Sequence, residues 1–187
     1  MESDHELVQQ ARAGRLEAFE TLVRRHQGVA YRVALRLVGP DDAADVTQDA
    51  FLRAFHRLRA YRGEGSFRAW LLQIVRNTAL NAIEARRTEP YEGIEDLADA
   101  ELASSARTPV DQLERRERLE RLEAKVRLLP PAHRTVLVLR DIEGFSYEEV
   151  ATVTETPLGS VKGRLHRARS ELIRILRENT YDWGLPA

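Results

Sequence analysis

The chain contains no cysteine. That excludes disulfides, thiolate zinc sites and thiol catalysis, and it fits a reducing, cytoplasmic setting. It has no long apolar run, so neither a membrane span nor membrane insertion is expected. The polar, acidic N-terminus does not read as a signal peptide. Positive charge is not in excess: 29 Lys and Arg stand against 30 Asp and Glu, for a net charge of −1. A uniformly basic coat for nucleic acid is thereby excluded, and any DNA affinity must come from local patches. Strand alternation of useful length is missing, as are solenoid repeats. There is no P-loop, no H-E-x-x-H and no G-x-S-x-G. His5, His26, His56, His133 and His166 fall on different expected elements, so no catalytic residue, cofactor or metal site is expected. What remains is 187 residues, 43% of them hydrophobic, patterned for helices in one or two small domains.

The most informative stretch runs from Gly144 to Arg177. Ser146 and Glu149 make an S-x-x-E capping box, which starts a short helix with Tyr147, Val150, Ala151 and Val153 on its apolar side. The pattern breaks at Thr154-Glu155-Thr156-Pro157. Thr156 suits an N-cap and Pro157 a first helical position, where a missing N–H costs nothing. A second helix then runs to Arg177. Val161, Leu165, Ala168, Leu172, Ile175 and Leu176 form its buried stripe. Lys162, Arg164, His166, Arg167, Arg169, Arg174 and Arg177 lie mostly off that stripe, with Glu171 as the acid among them. A capped helix, a turn and a basic amphipathic helix are the parts of a helix-turn-helix whose second helix enters the major groove. A solvated basic face is the plainer alternative, but the cap, the turn and the charge placement agree on DNA.

Earlier in the chain the periodicity predicts a short helix capped by Asp4 and carrying Leu7, Val8 and Ala11. A long helix follows, from Leu16 to Val38, with Leu16, Phe19, Val23, Ala30, Val33 and Leu37 as its stripe and Gly39-Pro40 as its stop. His26 lies on that stripe and reads as a packed core residue. The next helix, Asp41 to Tyr61, is acidic at its start, which complements the helix dipole. Its four aspartates fail the spacing of a calcium loop. After an Arg62-to-Ser66 loop comes a helix from Phe67 to Arg87, with Trp70, Ile74, Asn77 and Asn81 on one face. Aromatics among arginines suit single-stranded DNA, although Phe67 and Trp70 alone would read as core. Residues 88–108 lose periodicity and turn acidic, as a linker does. Pro109 to Leu128 is a charged helix anchored by Val110, Leu113, Leu119, Leu122 and Val126. Leu128 to Pro131 is a turn, Ala132 to Glu143 an apolar helix ended by Gly144, and 179–187 a tail.

These patterns resemble the extracytoplasmic-function (ECF) branch of bacterial sigma factors. The region-four resemblance lies in Gly144-x-Ser146-Tyr147-Glu148-Glu149-Val150-Ala151, Pro157-x-Gly159-Ser160-Val161-Lys162 and Arg164-Leu165-His166-Arg167-Ala168-Arg169. The region-two resemblance lies in Asp45-Val46-x-Gln48-Asp49-x-Phe51-Leu52-x-Ala54-Phe55 and Phe67-x-x-Trp70-Leu71-x-x-Ile74-x-x-Asn77. It implies an all-α fold of two small helical domains, an N-terminal bundle and a C-terminal helix-turn-helix, joined by a flexible acidic linker. The expected boundaries are 1–87 for region two, 88–108 for the linker, 109–178 for region four and 179–187 for the tail. The implied function is to bind RNA polymerase core, at the clamp helices of its largest subunit and at its flap, and direct it to promoter DNA. Asp45, Gln48, Asp49, Leu52 and Arg53 would dock on core. Ser160, Lys162, Arg164, His166, Arg167 and Arg169 would read the −35 element, with Arg164 and Arg169 on phosphates. Arg62, Gly63, Ser66, Phe67, Asn77 and Asn81 would capture the −10 element, with Trp70 still packed inside. An anti-sigma factor is the expected regulator. The chain departs from the family pattern at Glu155, where a turn glycine is usual, and at Gly163, where a small hydroxyl residue is common. The first departure predicts a strained or reshaped turn.

An ordinary helix-turn-helix regulator would account for Ser146 to Arg177. It would leave Asp45–Phe55 and Phe67–Asn77 unexplained, and it would normally dimerise to read two half-sites.

Overall fold

A computed structural model describes residues 2–63, 65–88 and 109–178. The linker expected at 88–108 falls outside these residues from 89 onward, as does the tail expected at 179–187. In chain order the helices are α1 (Asp4–Arg12), α2 (Leu16–Val38), α3 (Pro40–Arg57), α4 (Phe67–Thr88), α5 (Pro109–Arg127), α6 (Pro131–Leu137), α7 (Tyr147–Thr154) and α8 (Leu158–Arg177). A 3₁₀ turn follows α3 at Leu58–Ala60, and a π-helical turn follows α6 at Val138–Ile142. No strand occurs among the described residues, and the all-α, two-domain reading holds.

The N-terminal domain is built around α2, which packs on α1, α3 and α4. Gly39 joins α2 to α3 with φ +94, a value that L side chains rarely adopt. Pro40 then opens α3 at its first position, so two helices meet across a single residue. Leu22, Ala30, Val33, Leu37, Val46, Ala50, Leu71 and Val75 fill the shared core. Each such leucine or valine is worth about 1.5–3 kcal/mol of burial. The α2 stripe is buried as expected at Ala30, Val33 and Leu37, with His26 beside it, but departs from expectation in the first half of the helix. Ala18 and Leu22 point inward, while Leu16 is 58% exposed and Phe19 and Val23 are half-buried. The helix carries more apolar rows than one interface needs, and its partners choose between them.

The first helix is capped by Ser3, not by Asp4 as expected. The Ser3 hydroxyl accepts from the Glu6 amide at 3.3 Å, and the Glu6 carboxylate accepts from the Ser3 amide at 2.7 Å. Asp4 is drawn away by α2, where its carboxylate takes the guanidinium of Arg25 and the ring of His26. The third helix stops short of Tyr61. Tyr61 leaves the helix and turns inward, and its hydroxyl donates to the Gly65 carbonyl at 2.9 Å.

In the C-terminal domain, α8 packs on α5, α6 and α7. Val126, Leu129, Val136, Leu139, Phe145, Val150, Val153, Val161, Leu165 and Ala168 are its core. Leu119 is exposed instead of anchoring α5; Val126, near the C-terminal end of that helix, is buried. The side chains of Val110 and Leu113 lie outside the described residues. The expected helix at 132–143 is not uniform: its second half widens into the π turn before Gly144 ends it at φ +74. Arg134 of α6 ties the domains together. Its guanidinium donates to the carbonyls of Arg127, Leu129 and Leu37, and so satisfies acceptors at the ends of both α5 and α2.

His26 is 6% exposed, with Nε2 2.8 Å from the Asp4 carboxylate and its ring 5.4 Å from that of Phe67. Burial pushes its pKa below the ordinary histidine value; Asp4 opposes this, while Arg25 and Arg68 add to it. Below a pH of about 6.5 the unfolded chain therefore binds more protons at this site than the folded one. Stability is expected to be full above that pH and to fall as pH drops through it toward the folded pKa. Urea midpoints at pH 7.5 and 5.5 check this. His26→Gln should show the smaller fall between the two.

Candidate nucleic-acid interface

The helix-turn-helix is assembled by two caps. At the start of α7, Ser146 Oγ accepts from the Glu149 amide at 3.1 Å and Glu149 Oε2 accepts from the Ser146 amide at 2.9 Å, as the sequence predicts. At its end, the Thr156 amide donates to the Ala151 carbonyl and the Glu155 amide to that of Thr152. This is a Schellman turn, with Glu155 at the left-handed position (φ 51, ψ 42) where glycine is favoured. A side chain there costs roughly 1–2 kcal/mol.

The start of α8 differs from expectation. Pro157 is the N-cap and Leu158 the first helical residue. The ψ of 142 at Pro157 is extended, so the chain enters the helix one residue later than predicted. The Thr156 hydroxyl donates to the Thr154 carbonyl at 3.0 Å and accepts from Arg164 Nη1 at 3.1 Å. It braces the turn and does not cap the helix.

Val161, Leu165 and Ala168 point into the core, which leaves Ser160, Lys162, His166 and Arg167 exposed along the outer face of α8. The Lys162 ammonium lies 5.6 Å from the Tyr147 ring centre. The two arginines assigned to phosphates are already paired. Arg164 is half-buried on Thr156, and Arg169 makes a two-pronged contact with Asp141 of the π turn at 2.8 and 2.6 Å. These pairs hold the recognition helix against its supports. Gly163 sits on the outer face with open space around its α-carbon.

In the N-terminal domain Arg62, Gly63, Ser66, Asn77 and Asn81 are exposed. Ser66 Oγ accepts from the Ala69 amide at 3.1 Å and so caps α4. Asn77 Oδ1 accepts from Arg76 at 2.9 Å. Phe67 is a correction. It is 2% exposed, within 6.0 Å of the Tyr61 ring and 5.6 Å of Trp70. Its ring props the loop from below and offers no face to a base. Trp70, half-buried over it, packs as expected.

The third face is on α3. Asp45, Gln48, Asp49, Leu52 and Arg53 are all exposed, with Asp49 and Arg53 3.7 Å apart one turn along the helix. Gln48 and Leu52 edge an apolar groove of about 640 Å³ between α2 and α3, lined further by Phe19, Val23, Tyr31, Phe51 and Phe55. The sequence reading missed Tyr31 and the groove. Their signal was the second row on α2, Phe19, Val23, Gln27 and Tyr31, spaced four apart.

Comparison with known proteins now bears on these faces. Residues 22–89 match the family model "Sigma-70 region 2" and residues 119–172 match "Sigma-70, region 4". A bundle bearing region two followed by a helix-turn-helix bearing region four defines a bacterial sigma factor. The RNA polymerase sigma-H factor of Pseudomonas aeruginosa is 36% identical over 94% of this chain and 95% of its own length. The ECF RNA polymerase sigma-E factor of Haemophilus influenzae is 35% identical over 89% and 92%. The solved structure of CnrH in complex with the cytosolic domain of CnrY superposes with a TM-score of 0.69 at 31% identity, over 96% of this chain and all of that one. The chain belongs to the ECF sigma factors. It is a transcription-initiation factor of that branch and not an enzyme.

The strain at Glu155 can be measured. Glu155→Gly should raise stability by about 0.5–1 kcal/mol, the relief of the left-handed conformation less the added freedom of the unfolded chain. Urea unfolding followed by circular dichroism reads the change.

Proposed function

We propose that this sigma factor binds core RNA polymerase through α3 and the adjoining groove, and reads promoter DNA at two separate sites. The observation that carries this reading is the outward display of α3 and α8. An acidic edge, Asp45 and Asp49, borders an exposed apolar groove, and a basic helix face stands clear of its own core. Apolar contact supplies area, while the carboxylates select a basic partner helix and set its register. Asp45, Gln48, Asp49, Leu52 and Arg53 dock on the clamp helices of the largest subunit, and region four meets the flap. Lys162, His166 and Arg167 reach base edges of the −35 element, with Ser160 beside them. Arg164 and Arg169 meet phosphate with whatever charge their present partners leave them. Arg62, Gly63, Ser66, Asn77 and Asn81 receive an unstacked base of the −10 element. The chain acts in the cytoplasm with its polymerase. An anti-sigma factor holds it inactive, a reading supported by the complex of CnrH with CnrY.

Three substitutions test the three faces. Arg167→Ala should cost about 1–3 kcal/mol at one promoter position and relax selection there, read by transcription from a −35 library with purified core. Unchanged promoter choice would refute the assignment. Reversing both Asp45 and Asp49 to Lys should abolish core binding in a pull-down while leaving helical circular dichroism intact. Asn77→Ala should slow open-complex formation on duplex promoter and be partly rescued by a premelted template. Equal defects on both templates would make Asn77 structural.

A further inference from the structure

Resting on the −10 reading above, we propose that Asp4 and His26 are positioning residues for promoter opening, which act through Phe67 and Tyr61 to hold the loop of Arg62, Gly63 and Ser66 in the shape that receives an unstacked base.

Helix α1 holds both roots of that loop. At the near root, Arg12 Nη2 donates to the Arg59 carbonyl of the 3₁₀ turn at 3.3 Å. At the far root the hold passes through a chain of side chains. The Asp4 carboxylate is fixed by Arg25, whose other terminal nitrogen donates to the Glu2 carbonyl at 2.9 Å. It accepts from His26 Nε2 at 2.8 Å. Burial keeps the pKa of His26 below its ordinary value, so the ring is neutral at pH 7 and its one proton sits on the nitrogen that faces the carboxylate. Arg25 of α2 and Arg68 of α4 are the other charges that act on the ring. The His26 ring lies 5.4 Å from that of Phe67, which lies 6.0 Å from Tyr61 and 5.6 Å from Trp70. Tyr61 completes the chain. Burial and the Asp4 charge raise its pKa, so the hydroxyl stays protonated and donates to the Gly65 carbonyl at 2.9 Å.

Packing alone does not require this pair. An apolar side chain would fill the space beneath Phe67 with no polar group to satisfy, whereas a hydrogen-bonded ring adds direction. Direction matters because the loop has little stiffness of its own. Gly63 and Gly65 take φ of +80 and +85, in the region where glycine moves freely. Capture of a base must offset its lost stacking, and only a pocket already in shape does so without a further ordering cost. Helix α1 is therefore more than a cover for α2. Leu7 and Val8, each 1% exposed, seat it on its neighbour. The Ser3–Glu6 capping box relieves Asp4 of capping, and its carboxylate is free to reach His26.

Trp70 and Trp183 are the two tryptophans of the chain, so Trp183→Phe leaves Trp70 as a fluorescent reporter on the Tyr61–Phe67 stack. In that full-length background, Asp4→Ala and His26→Leu should each shift Trp70 emission to the red with helical circular dichroism intact. The two breaks lie on different helices, and the second serves if the first loosens α1. With sigma saturating core polymerase, each should slow open-complex formation on duplex promoter by about tenfold, and a premelted template should partly rescue it. Asp4→Asn keeps an acceptor for Nε2, and His26→Gln carries an amide nitrogen as many bonds from the backbone as Nε2. Both should open duplex promoter within about twofold of the unmodified chain. Unmoved emission in both Asp4→Ala and His26→Leu overturns the relay. Moved emission with normal opening overturns its positioning role, and equal effects of Asp4→Ala and Asp4→Asn overturn the hydrogen bond as the hold. The emission readout involves neither DNA nor polymerase, so its failure leaves the −10 assignment standing. Loss of that assignment, read as unimpaired opening by Asn77→Ala, leaves the emission shifts in place.

Discussion

Burial of α2 is the constraint on which the rest of the molecule depends. The helix has 23 residues and packs on α1, α3 and α4 of its own domain and on α5, α6 and the π turn of the other. Its inner row, Leu22, Ala30, Val33 and Leu37, is almost wholly withdrawn from water. That row sets the height and rotation of every neighbour. Once it is buried, Phe19, Val23 and Tyr31 can only face the side, where they line the groove beside Gln48 and Leu52. Arg32 and Arg36 can only face Glu143. The groove and the domain contact are two products of one helix orientation.

The helix-turn-helix obeys a tighter version of the same logic. After the eight residues of α7 that follow Ser146 the chain must reverse, and the Schellman turn does so by forcing one residue into the left-handed region. Val161, Leu165 and Ala168 then seat α8 on α5, α6 and α7, and rotation is no longer free. Hydrogen bonds from Arg164 back to Thr156 of the turn and from Arg169 to Asp141 of the π turn fix the register of its middle turns. Exposure of Lys162, His166 and Arg167 follows from what is buried opposite them, since residues three and four apart share a helix face. A helix with a polar side is common; one pinned by two of its arginines to the turn and to the π turn offers a fixed surface to a groove.

Near-zero net charge is reconciled with DNA binding by where the acids are spent. Glu143 pairs with Arg36 and Glu149 with Arg68, while nearer the surface Asp42 takes Arg86 and Asp141 takes Arg169 of α8. Asp45 and Asp49 stay on the surface of α3. Lys162, His166 and Arg167 stay exposed on the basic face of α8, although the chain as a whole carries a charge of −1. Total charge governs long-range attraction, whereas local pattern governs contact.

Helix identity, the Ser146–Glu149 cap, the stop at Gly39-Pro40 and the α8 stripe were legible from the chain alone. Each rests on residues within about one or two helical turns of one another, where spacing maps directly onto geometry. The strain at Glu155 was legible for the same reason. The cap at Ser3 in place of Asp4, the seating of Phe67 beneath its loop and the inward turn of Ala18 and Leu22 in place of Leu16, Phe19 and Val23 were not. Asp4 had two local roles open to it, and only the arrival of Arg25 and His26 from α2 chose between them. Phe67 sits in the pattern of a stacking segment, yet its ring packs with its chain neighbours Tyr61 and Trp70 and against His26, which arrives from α2. Glu143 lies 107 residues from Arg36, and nothing in either neighbourhood announces the pair. Local periodicity determines which faces a helix possesses; which of them meets a partner depends on contacts distant in sequence, and those exist only after the chain has packed.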